Sequence, residues 1–258
     1  MHVKILFLAF VLVPIFSKAQ NTSKEKATEA NQIWNIEFKT AYDVPLADMA
    51  TRFGNSFRLG VGAKLKTKNN WTFGFEHTFI VGGKVKEPGL MQNIMTEKGG
   101  IINIFGEVLN PGIFQRGYMT GIQAGKILPY LSPNANSGLT VQTGLGFMQY
   151  KINIFDRENN LGPLLKVPDT DLDYKKGYDR LTNGIYLKQF VGYTHYSDSK
   201  LINFVTGIDF VYGFTQGRRD FLYDVQKPGN EKRQDLLIGA TFTWVIPLYK
   251  KNVEETYY

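Results

Sequence analysis

Large apolar side chains alternate with glycine, polar and charged side chains in segment after segment of this chain. Every second position of segment 236–246 is apolar or small: Leu236, Ile238, Ala240, Phe242, Trp244 and Ile246. A period of two is the period of a β-strand, whose successive side chains point to opposite faces. In many segments the other face carries glycine or the charged residues Lys, Glu and Asp, and such charged residues are almost never fully buried in an ordinary core unless they are paired. The pattern predicts strands with an apolar outer face and a polar inner face, as in a membrane-spanning barrel.

Eight segments of this kind follow one another along the chain. They span residues 33–42, 56–66, 71–80, 117–128, 139–154, 184–196, 201–214 and 235–248. A tilted transmembrane strand needs about nine to eleven residues, and about eight strands make the smallest usual membrane barrel. The sequence therefore predicts an all-β fold, an eight-stranded antiparallel up-and-down transmembrane β-barrel.

The connections between these segments alternate in length. Segments 67–70, 129–138 and 197–200 are short and rich in turn residues, whereas 43–55, 81–116, 156–183 and 215–234 are long. Membrane barrels have short periplasmic turns and long external loops, so both termini are expected in the periplasm. Residues 99–106 form a helix or a strand extension, and we assign them to the second long loop because another strand would make the count odd.

The sixth segment allows two orientations. Either Ile185, Leu187 and Val191 face the lipid, as does Tyr193, with Gln189 as an exception, or the outward set is Tyr186, Phe190 and Tyr196. Gly192 fits the inner face better. We favour the first orientation.

The amino terminus resembles a secretory signal peptide. A basic start is followed by an apolar run and by small residues at Ser17 and Ala19, which predicts cleavage before Gln20. The expected organisation is a signal peptide at 1–19, a periplasmic segment at 20–32, an outer-membrane barrel at 33–248 and a periplasmic tail at 249–258. The chain contains no cysteine, which excludes disulfides, thiol catalysis and thiolate metal sites.

The predicted inner face carries charges of both signs. They are Glu37, Lys39, Arg58, Lys64, Glu76, Lys188, Asp209 and Asp235. The interior of an eight-stranded barrel is just wide enough to be filled by side chains, so these charges must pair across the lumen. An ion or proton path is the alternative, but a plug of salt bridges is favoured, and we expect no substantial conductance.

The long loops supply the candidate binding residues. In the third loop, Asp169, Asp171 and Asp173 could offer oxygen ligands to calcium, but the segment lacks the glycine and distal glutamate of an EF-hand, so a solvated loop is favoured. The third and fourth loops also mix aromatic and basic residues, the types that anchor interfaces or bind lipopolysaccharide phosphates. The candidate interface residues are Tyr174, Lys175, Lys176, Tyr178, Arg180, Arg218, Arg219, Phe221 and Tyr223.

Other functional classes find little support. After the predicted cleavage two histidines remain, His77 among outward aromatics and His195 at a short turn beside Ser197 and Asp198. Residues so close in sequence cannot easily align as nucleophile, base and orienting acid. The formal charge of +7 is scattered, which disfavours nucleic-acid binding. No cofactor is expected.

The signal peptide ending before Gln20, the eight amphipathic segments and the ending Gly239-x-x-Phe242-x-Trp244 together resemble the OmpX/OmpA-type small outer-membrane barrels, particularly Bacteroidota variants. The tail 249–258 departs from members that stop at an aromatic strand residue. The resemblance implies bacterial outer-membrane localisation and contact with membrane lipid. It carries no catalytic motif, and such barrels include anchors, adhesins, lipid-modifying enzymes and accessory subunits.

We expect a non-enzymatic barrel that acts by binding, as an accessory or scaffold subunit of a larger outer-membrane complex for secretion or barrel assembly. Its protein partners would contact the external loops or the outer face. The alternatives are a lipid A-modifying enzyme, disfavoured by the histidine positions, and a narrow channel or adhesin.

Overall fold

The computed structural model describes residues 30–102, 106–155, 174–197 and 202–248. The predicted signal peptide, most of the predicted periplasmic segment, and the tail lie outside these residues. The barrel strands are β1 (Ile33–Leu46), β2 (Ser56–Lys66), β3 (Trp71–Gly82), β6 (Gly112–Leu128), β7 (Gly138–Phe155), β8 (Thr182–His195), β9 (Phe204–Gly217) and β12 (Lys232–Leu248). The long loops hold α1 (Ala47–Arg52), β4 (Ile101–Ile102), β5 (Val108–Leu109), β10 (Arg219–Leu222) and β11 (Lys227–Gly229), besides 3-10 turns at Gln92–Ile94 and Tyr174–Gly177.

The eight long strands close into a ring. Each pairs antiparallel with the barrel strands next to it in sequence, and β1 closes the ring by pairing with β12, with Trp34 opposite Leu248 and Leu46 opposite Leu236. This topology confirms the predicted eight-stranded antiparallel up-and-down barrel. We call its two rims the short-turn end and the long-loop end.

The outer surface of the barrel is apolar. The exposed side chains include Phe38, Phe57, Phe79, Trp34 and Trp244, and the residues that alternate with them along each strand point inward. On β8, Ile185, Leu187 and Val191 are exposed, whereas Tyr186 and Phe190 are buried, as the favoured orientation predicted. Since water-facing surfaces do not present such a belt, the exterior is suited to lipid.

The strands extend further toward the long-loop end than the sequence pattern indicated. Strand β1 reaches Leu46, β6 begins at Gly112 and β9 continues to Gly217. Polar side chains such as Arg116 interrupt the outward apolar pattern there, but the backbone ladder does not need an apolar face to continue. Residues 101–102 and 108–109 form a small hairpin, so the predicted assignment of this segment to the loop is correct.

Helix α1 was not predicted from the sequence. The chain leaves β1 through Ala47, which has a positive φ of 51°, and the short helix buries Met49, with Phe53 just after it, inside the long-loop end. Among the described residues, no helix is long and apolar enough to cross a membrane. That finding concerns helices alone.

Candidate functional site

A chain of ion pairs crosses the middle of the lumen, and Arg58 on β2 is its centre. Its Nε and Nη2 donate to the two carboxylate oxygens of Asp43 on β1 at 2.6 and 2.7 Å. The same Nη2 donates to Asp209 Oδ1 on β9 at 2.7 Å. All three side chains are inaccessible to solvent. Charge-assisted hydrogen bonds of this kind offset part of the cost of burying a guanidinium, although Arg58 Nη1 has no hydrogen-bond partner among the described residues.

The chain continues around the lumen through two lysines. Lys39 Nζ lies 3.3 Å from Asp209 Oδ2 and 3.3 Å from Glu76 Oε2 on β3. Lys188 on β8 donates to the other Glu76 oxygen and, at 3.2 Å, to Gln123 on β6. We call Asp43, Arg58, Asp209, Lys39, Glu76 and Lys188 the lumen network; it holds three formal charges of each sign and links five strands.

A glycine makes room for this network. A Cβ on Gly239 would lie 2.4 Å from Asp43 Oδ1, 2.5 Å from Asp209 Oδ1 and 2.6 Å from Arg58 Nη2. These contacts are too short for carbon against oxygen or nitrogen, so only glycine fits beside the network.

The structure places the other predicted lumen charges apart from this network. Glu37 and Lys64 pair with each other at 2.6 Å nearer the short-turn end. Asp235 lies nearer the long-loop end, where it accepts hydrogen bonds from Tyr150 and Thr215, both at 2.6 Å.

Asp43 was not predicted to be a lumen residue, because its position was assigned to a loop. Asp43 nevertheless continues the inward alternation of Glu37 and Lys39 along β1.

Apolar side chains close the short-turn end of the lumen. They are Ile33, Ile127, Phe190, Tyr196, Val205 and Val245. The Phe190 ring lies against Gly192 and Gly207, whose backbones leave the space it occupies. Buried polar side chains such as Lys66 and Thr140 share this end with the cluster, so the expectation of a polar lumen holds here only in part.

A second apolar cluster fills the lumen at the long-loop end. Met49 and Phe53 pack there with inward residues of the strands, among them Met148, Tyr150 and Leu237. The rings of Phe53 and Tyr150 meet edge to face with centroids 5.6 Å apart. The lumen thus has a charged middle between two ends that each hold an apolar cluster, and its long-loop end is filled from the first loop.

Four loops are tied together above this cluster. Glu87 of the second loop accepts hydrogen bonds from Arg52 of α1 at 3.0 Å and from Arg180 of the third loop at 3.3 Å. Arg180 also pairs with Asp224 of the fourth loop. Burial lowers the pKa of Arg52, as does Arg233, whereas Glu87 opposes this shift. We call Arg52, Glu87, Arg180 and Asp224 the loop clasp.

The loop clasp changes the predicted interface. Tyr178 and Arg180 are buried within the structure, so the prediction that they contact an external partner is wrong. Residues of other loops of the same chain contact them instead. Arg219 pairs with Asp179, and Tyr223 packs edge to face on Tyr178.

The remaining candidate interface residues differ in exposure. Lys176, Arg218 and Phe221 are exposed and Lys175 is half-buried. Tyr174 begins a 3-10 turn, and its side chain lies outside what the structure describes. Arg218 Nε donates to Asn183 at 2.6 Å. These exposed positions stay predicted contacts.

His77 and His195 lie on the barrel's outer side. His77 Nδ1 is 2.5 Å from Thr120 Oγ1, and its ring stacks on Tyr118. The ring of His195 packs on Phe204 at the short-turn end. Within the described ranges, no three or more His, Asp or Glu side chains are arranged to hold a metal ion. The acidic triplet Asp169, Asp171 and Asp173 lies outside those ranges, so the calcium hypothesis stays a prediction.

The closed ring of eight strands, the apolar exterior and the filled lumen define a small eight-stranded transmembrane β-barrel of the outer-membrane type. This is the fold class that the sequence resemblance implied.

Comparison with known proteins gives likenesses among solved structures only. No family model and no curated protein matches the chain. It is similar to Neisserial surface protein A, with 10% identity and a TM-score of 0.41 over 82% of this chain and 96% of that chain. It is similar to the structure of Ail of Yersinia pestis determined in complex with the heparin analogue sucrose octasulfate. The identity is 11% and the TM-score is 0.41, over 83% of this chain and 99% of that chain. It is also similar to OprG from Pseudomonas aeruginosa, with 10% identity and a TM-score of 0.33 over 85% of this chain and 97% of that chain. The fold assignment rests on the strand order and the burial described above.

Proposed function

We propose that this chain is a non-enzymatic barrel of the bacterial outer membrane that acts by binding, with its termini in the periplasm. In this proposal the long loops face outward, and the barrel serves as an accessory or scaffold subunit of a larger outer-membrane complex. The lumen holds the loops in place and does not conduct.

One observation carries the proposal, namely the continuous filling of the lumen. The charged middle is neutral within itself, and apolar side chains pack above and below it. A transported solute would have to break buried ion pairs and displace both apolar clusters, each of which opposes passage. The surfaces left for function are the outer wall and the long-loop end.

The long-loop end offers contact residues of the kind that interfaces use. Phe221 and Val225 are exposed in the fourth loop, and Ile102 and Val108 are exposed on the hairpin of the second loop. Exposed apolar side chains presented on a rigid support are typical of binding surfaces. The loop clasp supplies the rigidity, because it joins one residue from each of the four loops.

Site-specific photocrosslinking in the native envelope tests this proposal. A photoreactive phenylalanine analogue replaces Phe221 or Val108, and the matched control carries it at Lys68, an exposed position in a short turn. We expect a discrete crosslinked partner from the long-loop positions and not from position 68, and the same partner after affinity purification in mild detergent. Recovery of the barrel alone, at its own mass and without crosslinks, would contradict the subunit role.

The non-enzymatic part has its own test. Mass spectra of lipid A from a strain that lacks this chain should match those of the parent strain. A change in acylation or phosphorylation that the restored gene reverses would show that the barrel is a lipid-modifying enzyme.

A further inference from the structure

The apolar exterior ends early on two neighbouring strands at the long-loop end. Going up β7, the outward residues Leu145 and Phe147 are followed by Gln149, Lys151 and Asn153. On β6 the outward Arg116 lies directly opposite Lys151 in the ladder. Two cations therefore lie side by side on the outer wall, immediately beyond its apolar belt.

A groove beside Arg116 combines this charge with aromatic surface. It has a volume of about 390 Å³ and is lined by Asn110, Gly112, Phe114, Arg116, Asn153 and Phe155. The Arg116 guanidinium lies over the Phe114 ring, 5.3 Å from its centroid. Aromatic faces with amide groups beside them suit the alternating apolar and hydroxyl surfaces of a sugar ring.

A second groove adjoins the first at Asn153 and is strongly basic. It has a volume of about 150 Å³, and its lining includes Lys151, Lys175, Lys176, Arg219 and Asp179. Arg219 holds Asp179 with two hydrogen bonds, the Nε bond being 2.7 Å. Among the described residues of the lining, four basic groups accompany one acid, an arrangement that favours a ligand with more than one negative charge.

We propose that these adjoining grooves, which we call the border site, bind the phosphorylated sugar headgroup of a glycolipid in the outer leaflet. Arg116 and Lys151 bind phosphate oxygens, Phe114 and Phe155 contact the sugar, and the acyl chains lie on the apolar wall around Phe147. The position of the border site favours a lipid over a soluble anion, since the site lies where the apolar outer surface ends and lipid headgroups begin. The inference rests on the proposed function, because it requires the long-loop end to face the outer leaflet.

Native mass spectrometry of the purified full barrel in detergent tests the border site. The probe is a synthetic acylated glucosamine disaccharide that carries two phosphates, and the comparison lipids are its dephosphorylated form and phosphatidylglycerol. The test variant is Arg116→Gln with Lys151→Gln. Its matched control is Lys68→Gln with Lys126→Gln, which removes two positive charges from the outer side at the short-turn end. Heat-modifiable migration on gels shows that every variant is folded.

We expect the bisphosphorylated lipid to bind roughly tenfold or more weakly to the test variant, because two charge-assisted contacts to phosphate are lost. The control variant should bind as the parent does, and the dephosphorylated lipid should not distinguish the variants. Equal losses in both variants, or phosphatidylglycerol binding as tightly as the bisphosphorylated lipid, would overturn the border site. A barrel that yields the crosslinked partner but no phosphate-dependent binding refutes this inference alone, whereas the reverse result refutes the subunit role alone.

Discussion

At the scale of single residues, the barrel depends on buried charges that are held in ion pairs. Arg58 holds two aspartates that have no access to water. A protein often tolerates replacement of every member of a buried ion group by apolar residues. Removing one member alone leaves an uncompensated buried charge and is strongly destabilising. The arginine is therefore the position at which the lumen network is most vulnerable.

Arg58→Met should destabilise the barrel by about 3–5 kcal/mol, because Asp43 would keep a buried charge without a cation and Asp209 would retain only Lys39. Equilibrium unfolding in urea, followed by tryptophan fluorescence in lipid vesicles, measures this difference. The control Arg218→Met changes an exposed arginine and should cost less than about 1 kcal/mol. Equal stability of the Arg58 variant and the parent would show that the network contributes little.

Gly239→Ala should cost roughly 1–3 kcal/mol in the same assay, since the added methyl group overpacks the network. Gly83→Ala is the matched control, because a Cβ there meets no atom within 4 Å, and its effect should stay within about 0.5 kcal/mol. If both alanine variants unfold alike, the close packing around position 239 is not a constraint.

At the scale of elements, period-two alternation was enough to predict the eight strands, their faces and the division between short turns and long loops. It did not predict α1, because a six-residue helix has too few turns to show a helical pattern. It also did not show that Tyr178 and Arg180 are buried. Their partners, such as Asn93 and Glu87, come from another loop about 85 to 93 residues away, and no local pattern encodes such contacts.

The loop clasp predicts a coupling between separate loops. Glu87→Gln removes the charge that Arg52 and Arg180 share, so backbone amides near residues 47–53 and 178–182 should exchange hydrogen roughly fivefold faster. Hydrogen exchange with mass spectrometry resolves these segments.

The matched control for this coupling is Glu97→Gln, an exposed acid of the same loop, which should leave both segments unchanged. Faster exchange confined to the second loop after Glu87→Gln would mean that the clasp does not connect the loops.

At the scale of the whole molecule, the barrel has a layered interior. An apolar cluster and buried polar side chains fill the short-turn end, the lumen network spans the middle, and α1 with its apolar neighbours fills the long-loop end beneath the loop clasp. The sequence indicated the charged layer through its inward Lys, Arg, Asp and Glu. It indicated the apolar layers poorly, because residues such as Met148 and Leu237 point inward among glycines and resemble exceptions to the alternation.

The central claim is that the pore is closed and that function lies on the outside of the barrel. Planar-bilayer recording of the refolded full chain tests it most directly. The account predicts no stable discrete openings across a wide range of voltage, at protein levels where a porin control conducts. Reproducible long-lived openings of large conductance, from samples shown to be folded, would contradict it.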